Sequence, residues 1–314
     1  MKKLAFAAFL ASINLIGQAQ TSPMDYNKTA IQSSKYWLDV DYVGDKIVGH
    51  RLDVHLPKKG RGPYPIIVAI YGSAWFSNAS KANTFQEGLG QALLNNGFAV
   101  VSINHRSSSD AKFPAQIQDV KAAIRFIRAN APAFNLAPDF IGVTGWSSGG
   151  HLSALTGTSN NVRKEVIQGE EVDIEGALGK HLTTSSAIDA VVDWFGPTDF
   201  LKMDDCGSSF SHNDAKSPES SLVGGPIQEN KVKVATANPI SYVKKSNPPF
   251  LIFHGDKDPL VPHCQSQLLF EQLQAAGVSS KLVIIPEGGH GPGVLIDAYF
   301  EQMIQFFKGQ LKSK

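Results

Sequence analysis

One six-residue stretch constrains this chain more than any other: Gly145-Trp146-Ser147-Ser148-Gly149-Gly150, near its middle. Ahead of it, Phe140-Ile141-Gly142-Val143-Thr144 is a short apolar run that reads as a buried strand. Behind it, His151-Leu152-Ser153-Ala154-Leu155-Thr156 reads as the first turns of a packed helix. A strand that meets a helix across so tight a turn needs glycines. They let the two backbones approach and let the residue between them take a strained conformation. Ser147 is then held at the tip of the turn, and the helix N-terminus beneath it favours developing negative charge. The pattern predicts a nucleophilic hydroxyl; the bland alternative is a helix start with Ser147 as an ordinary cap.

The rest of the chain supplies a setting for that turn. Trp37–Val43 and His50–Leu56 alternate around Gly44-Asp45 and predict an antiparallel hairpin in which His50 and His55 are face residues. Tyr64–Ile70, Phe98–Asn104, Ala187–Phe195, Pro249–His254 and Lys281–Ile285 are near-continuous apolar runs, as suits strands covered on both faces. Helical patterns fall between them: Phe85–Leu94, Pro114–Ile127, Gln265–Ala275 and Ile296–Leu311. Alternating strands and helices predict an α/β fold with a mostly parallel central sheet covered by helices on both faces. Residues 161–186 do not read clearly, and from 198 to 246 the hydrophobic periodicity weakens. The second stretch is too long for a simple turn and is expected to be an inserted, lid-like, substrate-facing segment.

The start of the chain has its own logic. Met1-Lys2-Lys3, an apolar run from Leu4 to Ile16 and small residues Gly17 and Ala19 predict a signal peptide over residues 1–20. That run is too short to span a membrane comfortably. The expected organisation is a signal peptide, a surface arm over 21–36 and one domain over 37–314, with a secreted or periplasmic destination. A net charge of +1 and the lack of a basic, aromatic-interleaved stretch argue against nucleic acid as a partner. There are two cysteines, Cys206 and Cys264, too few for a cysteine-rich zinc site. An exported compartment permits a disulfide between them, which would tie the inserted segment to the loop before Cys264. Asp204, Asp205, His212 and Asp214 cluster in the insertion, where a hydrogen-bonded loop is expected rather than a metal site. No metal or other cofactor is required by the chemistry below.

A serine hydroxyl needs a histidine to take its proton, and the histidine needs an acid to fix its tautomer. In an open parallel sheet all three belong in loops after the carboxyl ends of strands. Only His290, in Glu287-Gly288-Gly289-His290-Gly291, follows the last strand. The strand ending at His254 leads into Gly255-Asp256-Lys257-Asp258, where two carboxylates compete. Asp258 lies deeper in the loop and is favoured as the acid; Asp256 is suited to bracing the turn. The oxyanion donors expected are the backbone N–H of Ser148 and, from the loop after the Tyr64–Ile70 strand, that of Ser73, with Ala74 close behind.

With these residues in place, the chain resembles the α/β-hydrolase superfamily over roughly residues 37–312. Within it the likeness is to hormone-sensitive-lipase-like bacterial carboxylesterases and a secreted feruloyl-esterase-like branch. That family's His-Gly-Gly-Gly loop falls on Tyr71-Gly72-Ser73-Ala74, its acid loop on His254–Val261 and its histidine on His290. Three of the four oxyanion-loop residues differ from the family pattern, though backbone donors survive such changes. Arg106 and Asp119 are expected to support the site structurally. The resemblance implies ester hydrolysis through an acyl-enzyme, most favourably of feruloyl esters on plant polysaccharides, with acetylxylan and general short-chain esters as rivals. Trp75, Trp146 and Tyr71 are candidates for packing an aromatic acyl group, or equally for supporting the two loops from the core. A serine peptidase of the same fold is the second enzyme class, and a binding protein on the same scaffold the non-enzymatic one.

Overall fold

In the computed structural model, which describes residues 31–312, an eight-stranded sheet runs through the molecule in the order β1-β2-β4-β3-β5-β8-β9-β10. The expected signal peptide and most of the N-terminal arm lie outside the described residues. β1 (Lys35–Asp41) and β2 (Arg51–Leu56) pair antiparallel, and β2 pairs antiparallel with β4 (Ala99–Ile103). The remaining strands of this sheet run parallel: β3 (Tyr64–Ile70), β5 (Leu136–Trp146), β8 (Ala190–Trp194), β9 (Phe250–Gly255) and β10 (Ser280–Ile285). β1 begins two residues before the expected start of the domain at residue 37, because Lys35 and Tyr36 register against Leu56 and His55.

The two-residue alternation along β3 shows why its sequence is apolar throughout. Ile66, Val68 and Ile70 belong to one buried cluster, with α3 (Ala115–Asn130), α4 (Ser148–Thr158) and α7 (Cys264–Ala275). Ile67 and Ala69 belong to the other, with α2 (Leu89–Asn95) and α8 (Asp297–Lys312). Each face is therefore covered, and a polar residue on either side of β3 would be buried. The helix expected over Phe85–Leu94 is instead two pieces, α1 (Asn83–Gln86) and α2, parted at Gly88, whose φ of 82° no helix accepts.

The stretch that did not read, 161–186, holds a small hairpin of β6 (Lys164–Ile167) and β7 (Glu170–Asp173). Glu175, just after it, is buried against Arg125 and Lys121 of α3, so the hairpin is fixed by charge as well as by Val172. The stretch 198–246 contains α5 (Pro218–Val223) and α6 (Lys231–Ala237). Its Phe200, Leu222, Ile227 and Val234 lie in the same buried cluster as α3 and α4. Short elements of one or two turns give too few apolar repeats to show a helical period, although the packing is complete.

This segment is also fastened to the loop after β9. Cys206 and Cys264 are joined by a disulfide with their Cα atoms 6.2 Å apart. The Ser209 hydroxyl donates to the Pro259 carbonyl, and His212 Nε2 donates to the Leu260 carbonyl at 3.0 Å. His212 Nδ1 lies 3.0 Å from Glu219, whose charge raises the pKa of the ring against the opposing effect of burial. Asp204 accepts from the Ser211 hydroxyl and from the backbone of His212 and Asn213, closing its own turn. Among the described residues no cluster of His, Cys, Asp and Glu has metal-binding geometry, and no helix is long and apolar enough to cross a membrane.

Candidate active site

The site is assembled where β3, β5, β9 and β10 end. Ser147 follows β5 with φ 56° and ψ −126°, a conformation that L residues rarely adopt. Such strain costs roughly 1–3 kcal/mol and persists only where neighbours fix it. Here the neighbours are visible. The Ser147 N–H donates to the Trp194 carbonyl at 2.9 Å, and the Ser147 carbonyl accepts the first helical bond, from His151, at 2.9 Å. A Cβ on Gly149 would lie 2.2 Å from the Ile70 carbonyl oxygen, and one on Gly145 would lie 2.5 Å from the Gly149 oxygen. The glycines of the motif are thus required by contact between β3, β5 and α4.

The Asp258 side chain is fully buried in the loop after β9. One oxygen accepts the backbone N–H groups of Leu260 and Val261 at 2.8 and 2.9 Å. The other accepts from His290 Nδ1 at 2.7 Å and lies 3.4 Å from His254 Nε2. Burial alone would raise its pKa; the two histidines outweigh that and hold the carboxyl well below the usual range. With Nδ1–H donated to Asp258, the Nε2 of His290 is left as an acceptor, the form a general base needs. Ser147 Oγ makes no hydrogen bond to it in this conformation; such pairs commonly tighten only when substrate binds. His254 donates from Nε2 to the Val261 carbonyl at 2.8 Å and accepts from Ser266 at 2.7 Å, so it braces the acid loop. Asp256, the competing carboxylate, accepts the Glu287 N–H at 2.8 Å and holds the two loops together at their base.

The loop after β3 faces Ser147. A Cβ on Gly72 would lie 2.9 Å from that of Ser147. The Ser73 N–H donates to the Ser148 hydroxyl at 2.9 Å, while Ala74 and Trp75 both take positive φ, 51° and 59°. Of the three aromatic residues considered for substrate, Tyr71 is 0 %, Trp75 1 % and Trp146 7 % exposed. Tyr71 stacks on His105 and donates to the Ser77 carbonyl; Trp75 meets the rings of His151 and Phe200. In this conformation the Tyr71 and Trp75 rings shape the loop from beneath and present no face to a ligand. Arg106 donates to Asp119 through Nε and Nη2, and His50 Nε2 reaches the same carboxylate at 3.2 Å, a support for the β2–β4 end of the sheet.

One residue of the site was not anticipated. Phe195 follows β8 at φ 45°, and its ring meets that of His290 edge-on at 4.7 Å between centroids. Its neighbour Trp194 receives the Ser147 N–H, so the end of β8 touches both halves of the pair. The signal available in the sequence was an apolar strand stopping at Phe195-Gly196-Pro197, which marks a strand end without indicating what the ring packs on.

A strained serine on a strand–helix elbow, with an Asp-bound histidine on the loop after the last strand, has the arrangement of a serine-hydrolase site on the α/β-hydrolase fold. The chain belongs to the BD-FAE family, whose model matches residues 52–273. A truncated carbohydrate esterase from gut microbiota is 48% identical, with TM-score 0.85 over 89% of this chain and 97% of that one. A bifunctional GH43-CE protein of Bacteroides eggerthii is also 48% identical, with TM-score 0.84 over 88% of this chain and 35% of that one. Esterase LipQ of Mycobacterium tuberculosis is 30% identical over 69% of this chain and 47% of its own length. The chain spans about half the length of the curated relatives it matches.

Proposed function

We propose that the protein hydrolyses short-chain acyl esters carried on carbohydrate, through an acyl-enzyme on Ser147. The observation that carries the reaction is the Asp258–His290 hydrogen bond of 2.7 Å, on a loop beside the serine elbow. His290 Nε2 takes the Ser147 proton as Oγ attacks the ester carbonyl. Backbone N–H groups at the start of α4 and in the β3 loop receive the oxyanion. His290 then returns the proton to the departing sugar hydroxyl, and water repeats the sequence on the acyl-serine.

The carbohydrate alcohol is supported by likeness to the two 48%-identical structures named for carbohydrate esterase. A small acyl group, acetyl above all, is supported by the burial of Tyr71 and Trp75, which removes the aromatic wall expected for a ferulate. The disulfide supports an exported, oxidising location, in keeping with a signal peptide over residues 1–20. The test compares kcat/KM on acetylated xylan, methyl ferulate and a short aliphatic ester with one preparation, because the ratio reports differential transition-state binding. Acetylated xylan should lead. Methyl ferulate turned over at least ten times faster than both others would overturn the acyl assignment and restore the feruloyl reading. Equal rates on all three would point to a general carboxylesterase.

A further inference from the structure

The oxyanion loop carries strain at two adjacent residues, and its hydrogen bonds show what holds it. The Ser73 carbonyl accepts the Phe76 N–H at 3.0 Å, which closes a four-residue turn with Ala74 and Trp75 in its centre. Both central residues have positive φ, the pattern of a type I′ turn, which favours Gly, Asn or Asp. The turn is anchored by the Trp75 ring, buried against His151 in the first turn of α4 and against Phe200, and by the Ser108 N–H donated to the Trp75 carbonyl at 2.8 Å. On the nucleophile side one hydrogen bond joins the loop to the first turn of α4 among the described residues: Ser73 N–H to Ser148 Oγ, 2.9 Å. Ser148 is 1 % exposed, so water does not compete for that hydroxyl. The Ala74 N–H has no hydrogen-bond partner among the described residues.

We propose that Ser148 is a positioning residue that decides which backbone group completes the oxyanion hole. Its hydroxyl engages the Ser73 N–H and fixes the loop against α4. The Ala74 N–H then joins the Ser148 N–H in receiving the oxyanion. One residue thereby acts twice: its backbone donates to the developing charge, and its side chain sets the partner donor. The strained turn fits this role, since a donor displaced by even an ångström loses most of its value to a transition state. The inference rests on the esterase reading of Ser147, and the experiment separates the two.

The variants are Ser148→Ala and Ser148→Thr; the second keeps an oxygen at the same place. For each, kcat and KM on p-nitrophenyl acetate are measured well below the melting temperature, with inhibition by an alkyl trifluoromethyl ketone, whose serine adduct places an oxyanion in the hole. Ser148→Ala should lower kcat by roughly 10- to 100-fold, somewhat less than deletion of a donor. KM should stay nearly constant, the ketone should weaken by the same factor as kcat/KM, and Ser148→Thr should recover most of the loss. A purely structural role would lower the melting temperature and leave kcat and ketone affinity in place, which overturns the proposal. So would a kcat equal to or above wild type in Ser148→Ala, because the freed Ser73 N–H would then be serving as the donor. Should Ser148→Ala fail to fold, Ser148→Cys, with its weaker sulfur acceptor, takes its place with the same expected and overturning outcomes. If the wild type cleaves no ester at all, the proposed function fails. The rate at which a fluorophosphonate labels Ser147 in the same variants still decides the role of Ser148, with a fall expected in Ser148→Ala.

Discussion

Replacing Asp193 by Asn should make the protein more stable at neutral and alkaline pH, by an amount that the structure sets. Asp193 lies in β8, fully buried beneath the first turn of α4, and a Cβ on Gly150 would come within 2.5 Å of its Oδ1. Oδ1 accepts the Gly196 N–H at 3.0 Å; Oδ2 has no partner, and no cation pairs with the group among the described residues. Burial therefore pushes its pKa from 3.8 up to about 7. A carboxyl that holds its proton more tightly when folded loses stability for the protein as pH rises through that interval, and the loss is complete above it. At 1.36 kcal/mol per tenfold change in ionisation constant, the full penalty is roughly 4 kcal/mol. About 1.7 kcal/mol of it has accrued by pH 5, so the advantage of the Asn variant should widen by roughly 2.5 kcal/mol between pH 5 and pH 8. Any fixed cost of fitting Asn at this place is the same at both pH values and cancels. Urea unfolding of both proteins, followed by tryptophan fluorescence at the two pH values, measures it. A constant difference between the proteins would refute the reasoning, and would mean that the N–H groups and dipole of α4 hold Asp193 ionised.

Three further outcomes are expected. Asp258→Asn should lower kcat steeply, by roughly the 10⁴-fold seen in the best-studied serine triad, while Asp256→Asn should leave kcat close to wild type; a larger kcat loss in Asp256→Asn at unchanged stability would reverse the acid assignment. Gly72→Ala sets a methyl 2.9 Å from Ser147 Cβ and 2.7 Å from the Trp146 carbonyl oxygen, and displacing the nucleophile should cost roughly 100-fold in kcat; steady-state kinetics near wild type would show that the loop gives way instead. The Cys206→Ser, Cys264→Ser double variant opens a link across 58 residues, worth roughly 4 kcal/mol by loop entropy; a fall below about 1 kcal/mol in denaturant unfolding would leave Ser209 and His212 as the principal ties.

The parts legible in the sequence are those whose physical cause is local. β3 lies where its apolar run predicts it, because every residue of a strand covered on both faces must be apolar. The serine elbow is legible because only glycine satisfies the contacts of Gly145 and Gly149. The order of Asp258 and His290 along the chain follows from strand ends, and a hydrogen bond of 2.7 Å joins the two side chains. What stayed hidden depends on contacts distant in sequence. Phe195 looks like any apolar residue until the last strand loop brings His290 onto its edge. The Ser73–Ser148 hydrogen bond spans 75 positions, so Ser73 could be placed in the right loop without its N–H being seen to be engaged. Tyr71 and Trp75 lie close to the nucleophile in space, and only the burial of their rings shows which way they face. The helices of 198–246 are too short to carry a period, although their apolar residues enter the main core.

The cramped elbow also bears on ancestry. Oxygens of the main chain stand 2.5 and 2.2 Å from where side chains would begin at Gly145 and Gly149, so these glycines are enforced by the fold whether or not Ser147 ever reacts. In the loop of His290 that compulsion reaches Gly288, where a Cβ would lie 2.9 Å from the Gly255 Cα, but stops short of the histidine: a Cβ on the adjacent Gly289 would meet nothing nearer than 3.8 Å. A descendant that had abandoned catalysis would keep the glycines for generations and shed the histidine early. Among kindred sequences, the glycine frame therefore records descent, and on the proposed mechanism the residue at position 290 records whether the trade is still practised.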